Sequence, residues 1–222
     1  MSETFLPYPY TARSMDTMQQ AGKEFWRQMQ SRRSIREFSA DAVPRQLIEY
    51  ALRTAATAPS GANQQPWKFV AVSDPAIKRE IRVAAEQEEY ESYEGGRMSK
   101  EWLDALKPIG TTWQKPFLET APWIVVVFEE VHGLKSDGSP LKHYYAKESV
   151  GIACGLLIAA IQQMGLVTLT HTPSPMRFLN EILQRPTHER PFILFPIGYP
   201  AKDAQVPNLP RKSFDETVEW IE

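Results

Sequence analysis

Trp123-Ile124-Val125-Val126-Val127-Phe128-Glu129 is an apolar, largely β-branched run with no charge before its last residue. A strand wet on one face alternates polar and apolar positions, and this one does not, so it predicts a strand near the centre of a sheet, buried on both faces. Trp67 to Val72 reads as a second strand, short, aromatic and β-branched, and Leu166 to Thr170 and Phe192 to Gly198 as two more. Helices are expected over Met18 to Gln30, over a segment opened by Pro44 with Leu47, Ile48, Ala51, Leu52 and Ala55 at three-and-four spacing, and from Asp74-Pro75 to the break at Gly95-Gly96. A long helix over Tyr144 to Met164 carries the small residues Gly151, Ala153 and Gly155, and a short one lies near Met176 to Leu183. Gly95 to Thr120 scatters Trp102, Leu103, Leu106, Trp113 and Phe117 among Lys and Pro, which reads as a lid of about residues 91–120 rather than core. Tyr199 to Glu222 is punctuated by proline and reads as an extended tail, about residues 200–222, that wraps outward. This order predicts an α+β fold, a mixed sheet covered by helices, in one domain spanning 1–222.

Composition removes several classes of function. With 222 residues and 42% hydrophobic content the chain buries a full core. Lys and Arg number 25 against 27 Asp and Glu, with a net charge of -2 and a pI near 6.1, so no global field favours nucleic acid. The longest apolar run, Val150 to Ile161, is too short for a membrane span of roughly 20 residues, and residues 1–17 lack the pattern of a signal peptide. A soluble, cytoplasmic protein is expected. The single cysteine, Cys154, lies in that apolar run and fits a reducing compartment. His132, His143, His171 and His188 lack ligand spacing, so no metal is expected. No Gly-x-Gly-x-x-Gly follows a strand and no phosphate-binding Gly-x-x-x-x-Gly-Lys occurs, which disfavours dinucleotide and nucleoside-triphosphate folds.

Against this neutral background Arg32-Arg33-Ser34-Ile35-Arg36 concentrates three guanidinium groups in five residues. Planar forks of donors match phosphate oxygens in pairs, and Ser34 adds a hydroxyl, so a phosphorylated cofactor is the natural ligand; the bland reading is a solvated basic face. The loop Pro59-Ser60-Gly61-Ala62-Asn63-Gln64-Gln65-Pro66-Trp67 places backbone donors on small residues before a strand, which lets a flat ligand lie against the chain, although a plain helix-to-strand connection accounts for it equally. Glu89 and Tyr93, four residues apart, share a helix face, which on its own reads as a solvated acidic helix end.

Together the arginine cluster and the loop resemble the flavin-dependent nitroreductase superfamily, where such segments hold FMN. His143-Tyr144-Tyr145, Ser149, Ile152 to Leu157, Gly165 to Thr168, Arg185-Pro186 and Gly198-Tyr199-Pro200 extend the likeness from about Trp26 to Lys212, and they resemble the iodotyrosine deiodinase family within it. The resemblance implies a nitroreductase-like fold and FMN held by Arg32, Arg33, Ser34, Arg36 and Arg211, by Pro59, Ser60 and Gly61, and by Thr170, His171 and Thr172. Thr172 would stand near flavin N5 and favour one-electron steps. His171 departs from the family, which often has a second threonine there, and a backbone contact to the flavin is expected of it. On the substrate side it implies Ala62, its N–H toward the phenolate oxygen, and a zwitterion clamp of Glu89 for the ammonium group with Tyr93 and Lys115 for the carboxylate. The implied activity is reductive dehalogenation of halotyrosines, 3-iodotyrosine and 3,5-diiodotyrosine to tyrosine and halide, with catalytic roles for Thr172 and Ala62 and electrons ultimately from NAD(P)H or a separate reductase. A homodimer with FMN at the interface is implied, its tail wrapping the partner subunit, and a soluble form without the membrane anchor of vertebrate members. A broad-range nitroreductase or quinone reductase of the same fold, and a non-catalytic flavin carrier, are the alternatives.

Overall fold

The computed structural model describes residues 5–222, and the chain falls into two compact units, Met1–Arg32 and Arg33–Glu222. The first unit holds helix α1, Met15–Ser31, capped by the Ser14 hydroxyl, which accepts from Thr17 N–H at 3.2 Å. None of its residues is buried, and Phe25 and Trp26 stand exposed.

The second unit is a four-stranded sheet with helices on both faces. Its elements are α2 (Arg45–Ala55), β1 (Trp67–Val72), α3 (Pro75–Tyr93), α4 (Lys100–Leu106), α5 (Phe117–Thr120), β2 (Trp123–Glu130), β3 (His132–Leu134), β4 (Pro140–Lys142), α6 (Ala146–Gln163), β5 (Val167–Thr168), α7 (Phe178–Ile182) and β6 (Glu189–Gly198). The sheet order is β1-β2-β6-β5, so the Trp123 run is internal as its composition demands. Ile124 to Phe128 are fully buried, each side chain contributing about 1.5–3 kcal/mol. Alternate residues serve two cores. Val125 and Val127 pack with Ile48 and Ala51 of α2 and Leu157 and Ile161 of α6, whereas Ile124, Val126 and Phe128 pack with Ile81 and Ala85 of α3, Leu118 of α5 and Leu179 of α7.

Some expectations need correction. The sheet is less mixed than expected: its three ladders are antiparallel, and its parallel component is the isolated bridge Ser34–Thr168. The strand read over Leu166 to Thr170 keeps only Val167–Thr168 in its ladder, because residues beyond it bend away and rejoin β6 by the bridge His171–Leu194. The hairpin β3–β4 around Asp137-Gly138 carries too few apolar residues to be read as strands. The end of the lid stretch is core: Phe117 and Leu118, at 5% and 0% exposure, anchor α5 under the sheet. Asp74 caps α3 by accepting from the N–H groups of Ala76 (2.8 Å) and Ile77 (3.0 Å), the start that Asp74-Pro75 implies. No helix among the described residues is long and apolar enough to cross a membrane.

Candidate active site

One cluster forms along the β5 edge. Ser34 bridges Thr168, with Ile35 N–H donating to Thr168 O at 3.2 Å, so residues 33–36 run beside β5. His171 donates its N–H to Leu194 O and accepts from Leu194 N–H, both at 2.9 Å, which holds residues 170–172 extended and takes up the backbone donor of His171. The chain alternates there: Thr170 and Thr172 are exposed on one side, and His171 is buried on the other. Arg33 Nη2 donates to Pro207 O, and Glu37 fixes the start of the tail by accepting from Ala201 N–H (2.9 Å) and, through its carboxylate, from Gln205 N–H (2.7 Å). Arg211 lies four residues past Pro207, on the exposed part of the tail. Arg32 closes α1 in the first unit. Among the described residues no carboxylate pairs with Arg33 or Arg36. Burial lowers the pKa of Arg36, partly offset by Tyr93.

Tyr93 leads into the second cluster. α3 presents Glu89 and Tyr93 one turn apart, and Lys115 enters from the lid. Lys115 Nζ lies 3.2 Å from Glu89 Oε2, with side-chain exposures of 4% and 9%, and 5.2 Å from the centre of the Tyr93 ring. The ammonium group also donates to Thr111 Oγ1 at 3.1 Å and to Thr112 O, and the Thr111 hydroxyl hydrogen-bonds the Tyr93 phenol. Burial pushes Glu89 up and Lys115 down, each toward neutrality, and their mutual attraction opposes both shifts. Tyr93 is likewise raised by burial, against the Thr111 bond. Thr111 and Thr112 were not legible as site residues, since lone threonines in a loop carry no spacing signal. Trp113 and Arg97 hold the lid down. Trp113 meets Tyr90 edge-on at 5.5 Å, and Arg97 Nη1 bonds Glu88 Oε2 (2.8 Å) and Ser174 O (2.7 Å), two residues beyond Thr172.

His171 joins the clusters. Its ring packs edge-on against Phe117 at 5.5 Å, and its Nε2 has no hydrogen-bond partner. Burial, then the nearby charges of Lys115 and Arg36, push its pKa down to about 3, so the imidazole stays neutral.

The loop at Pro59 to Ala62 stands elsewhere. It precedes β1, at the sheet edge opposite β5, and three strand spacings separate those edges, about 14 Å. Its bonds go to the stretch from the end of β4 to the first turn of α6: Gly61 N–H to Ser149 Oγ (3.3 Å), Gln64 Nε2 to Lys142 O (2.9 Å), and Tyr144 N–H to Gln64 Oε1 (2.7 Å). Ser60 Oγ accepts from Gln65 N–H at 2.9 Å. Ala62, Asn63 and Gln65 adopt left-handed φ of 50°, 55° and 50°, each costing on the order of 1 kcal/mol, a concentration of strain typical of ligand-binding loops. Gly61 is required by space: a Cβ there would sit 2.3 Å from Tyr144 O. One chain therefore unites Arg33, Ser34, Arg36, Thr170, His171 and Thr172 with Glu89, Tyr93 and Lys115, and leaves Pro59, Ser60, Gly61 and Ala62 at the far edge.

The described residues contain no group of three or more His, Cys, Asp or Glu side chains able to hold a metal ion. Burial raises the pKa of the Cys154 thiol to about 12, which leaves it unreactive.

Residues 29–199 match the model of the nitroreductase family. The chain is 57% identical over 208 residues to the iodotyrosine deiodinase of Haliscomenobacter hydrossis, covering 94% of this chain and 93% of that protein. It is 43% identical to iodotyrosine deiodinase 1 of Homo sapiens, over 96% of this chain and 74% of the human protein. Among solved structures, an oxidised iodotyrosine deiodinase bound to FMN and 3-iodo-L-tyrosine superposes with a TM-score of 0.74 at 34% identity, over 89% of this chain and 99% of that one. A Bacteroides fragilis nitroreductase with bound FMN, 18% identical with a TM-score of 0.65 over 90% and 99% of the two chains, shares the fold. The chain belongs to the nitroreductase family and, within it, to the iodotyrosine deiodinases.

Proposed function

We propose that this protein is an FMN-dependent enzyme that removes halogen reductively from 3-halotyrosines. The observation that carries the reading is the buried Glu89–Lys115 pair roofed by the lid. Its two charges neutralise each other, and an α-amino acid brings the same two charges in opposite places: ammonium for Glu89, carboxylate for Lys115 and the Tyr93 phenol. A site built to pair both charges rejects analogues without them, by factors on the order of ten thousand, because desolvated groups would be left unpaired.

The β5 edge suits FMN. Among the described residues Arg33 and Arg36 have no carboxylate partner, the Ser34 backbone is held in place, and the Thr170 and Thr172 hydroxyls face one side. Arg33, Ser34 and Arg36 would hold the phosphate end, with Arg32 and Arg211 added by the family pattern, and Thr170 and Thr172 would line the ring. FMN, when bound, supplies the two electrons that, with one proton, convert the aryl–halogen bond to aryl–hydrogen and free halide. The electrons come ultimately from NAD(P)H, directly or through a reductase. Thr172 offers its hydroxyl at the ring, and Ala62 its N–H to the substrate phenolate.

The separation of the two edges supports a homodimer as the working unit, in which Pro59, Ser60, Gly61 and Ala62 of one copy would complete the cluster of the other. α6 has room for a neighbour: a Cβ at Gly151 or Gly155 would meet nothing within 4 Å, and Ile152 beside them is half exposed. The tail beyond Pro207 is exposed and would reach that neighbour. Mixing Arg33→Ala and Gly61→Ala subunits tests this. If subunits assort at random, about one quarter of the sites regain FMN; recovery of none places the whole site within one chain.

Anaerobic turnover of the reduced holoenzyme tests the activity. Tyrosine and iodide should form from 3-iodotyrosine far faster than 2-iodophenol or a nitroaromatic is reduced. Equal rates with all three would identify a broad-range reductase.

A further inference from the structure

We infer that Glu86 is a positioning residue for substrate selection, fixing the backbone of Lys115 so that its ammonium group stands where the amino-acid end of the substrate arrives. This rests on the halotyrosine reading above and adds a residue that touches neither substrate nor cofactor.

Lys115 lies in a stretch with little regular structure, between a 3-10 turn at Lys107–Ile109 and α5. No ladder holds its N–H there. Glu86 does: its Oε1 accepts from Lys115 N–H at 2.6 Å, a charge-assisted bond within the segment that carries the clamp. The same oxygen accepts from Arg82 Nε at 2.9 Å, and Arg82 Nη1 reaches Glu119 Oε2 on α5 at 3.1 Å. One turn earlier on α3, Lys78 Nζ donates to Glu119 O (3.0 Å) and Ala121 O (2.7 Å). Lys78, Arg82, Glu86, Glu89 and Tyr93 thus form one stripe along α3, at helical spacings of four, four, three and four, and every member meets the stretch 111–121.

The stripe divides its labour. Lys78 and Arg82 fix α5, Glu89 and Tyr93 engage the Lys115 side chain, and Glu86 holds the peptide from which that side chain springs. A four-carbon side chain pivoting on an untethered backbone spreads its charge over several ångströms, and a displacement of about 1 Å at a binding group costs on the order of a hundredfold. Glu86 removes that freedom before the substrate enters, which improves recognition of the amino-acid end and leaves substrates without one untouched.

The FMN-loaded protein decides this with two measurements on Glu86→Ala and Glu86→Gln. The first is amide hydrogen exchange across residues 113–118 without substrate. The second is kcat/KM for 3-iodotyrosine divided by kcat/KM for 2-iodophenol. Glu86→Ala should raise exchange and lower the ratio at least about tenfold, through KM rather than kcat, as expected for loss of a charge-assisted bond. Glu86→Gln keeps an oxygen acceptor at the same place and should restore both to within about threefold. Unchanged exchange in Glu86→Ala, or an unchanged ratio despite raised exchange, overturns the inference. Equal loss toward both substrates also overturns it, since that is what general loosening of the fold produces. Failure of the halotyrosine reading looks different: the wild type itself would then show no preference for iodotyrosine over iodophenol, and the selective role assigned to Glu86 falls with it.

Discussion

The β5 edge and the α3–lid clamp both gather charge, and they handle it in opposite ways. At β5 two guanidinium groups sit half-buried with no carboxylate partner among the described residues, beside two outward-facing hydroxyls. Under the lid, cation and anion are buried together 3.2 Å apart and satisfy one another. An open, uncompensated cationic edge suits a ligand that stays, because the site is complete only when the anion is present. A closed, self-neutral pair suits a ligand that comes and goes, because the charges return to each other on release and no lone ion is left in a dry cleft. The two regions should therefore fail differently when cut.

The clamp should give the largest effect. Lys115→Ala leaves Glu89 buried without a partner, so halotyrosine affinity should fall by about a hundredfold to a thousandfold, and stability by about 3–5 kcal/mol where Glu89 remains ionised. The pair Lys115→Met with Glu89→Leu removes both charges and should recover most of the stability and none of the affinity. Calorimetry with and without 3-iodotyrosine separates the two. A double variant that still binds would make the clamp structural and erase its contrast with the β5 edge.

Arg33→Ala comes next. Loss of one charge-assisted phosphate contact should weaken FMN by about tenfold to a hundredfold, read from flavin fluorescence on titration. The clamp should be unaffected, so a sample saturated with FMN should bind 3-iodotyrosine as the wild type does.

The pH dependence of binding sharpens the contrast further. Glu89 must be ionised to meet an ammonium group, and burial raises its pKa, so affinity should be lost as pH falls through a value above the ordinary carboxylate range. Lys115 must be charged, and burial lowers its pKa, so the basic limb starts below the ordinary lysine range. The acid limb is diagnostic, because the substrate's own carboxyl, beside its ammonium group, titrates well below the ordinary side-chain carboxylate range. Glu89→Gln should abolish that limb, and FMN affinity should follow neither limb.

These regions also differ in how legible they were. The fold was readable where burial dictates composition: the Trp123 strand, β1 from Trp67 to Val72, and the apolar spacing of α2 all stand where their patterns place them. It was unreadable where only a few bonds define an element, as in the hairpin at Asp137-Gly138, and read too long at Leu166 to Thr170, of which the ladder keeps only Val167–Thr168. Arg33, Ser34 and Arg36 stood out as a dense run of one charge. Glu89, Tyr93 and Lys115 did not, because residues 26 positions apart meet only through the tertiary fold, and without the family likeness the acidic end of α3 reads as a solvated face. That Pro59 to Ala62 and Thr170 to Thr172 occupy opposite sheet edges is a matter of strand order, which composition does not encode.

The smallest predicted effect is the most specific. Thr170 and Thr172 share an exposed side while His171 turns inward beside Phe117, so the alternation of one extended segment would decide which groups face a flavin ring bound there. A hydroxyl facing the ring can stabilise one protonation state of the flavin over another without adding much to its total binding, which is dominated by the phosphate end. Thr172→Ala should therefore leave FMN affinity within about threefold and shift the separation of the two one-electron reduction potentials, a change worth one neutral hydrogen bond, about 1 kcal/mol. Spectroelectrochemical titration reads the separation directly. Thr170→Ala is the control on the same side, and a larger shift there would move the N5 contact two residues along the strand. Equal potentials in Thr172→Ala and wild type would leave the β5 edge as a phosphate anchor alone, with the tuning of the flavin assigned to Pro59–Ala62 on the opposite edge.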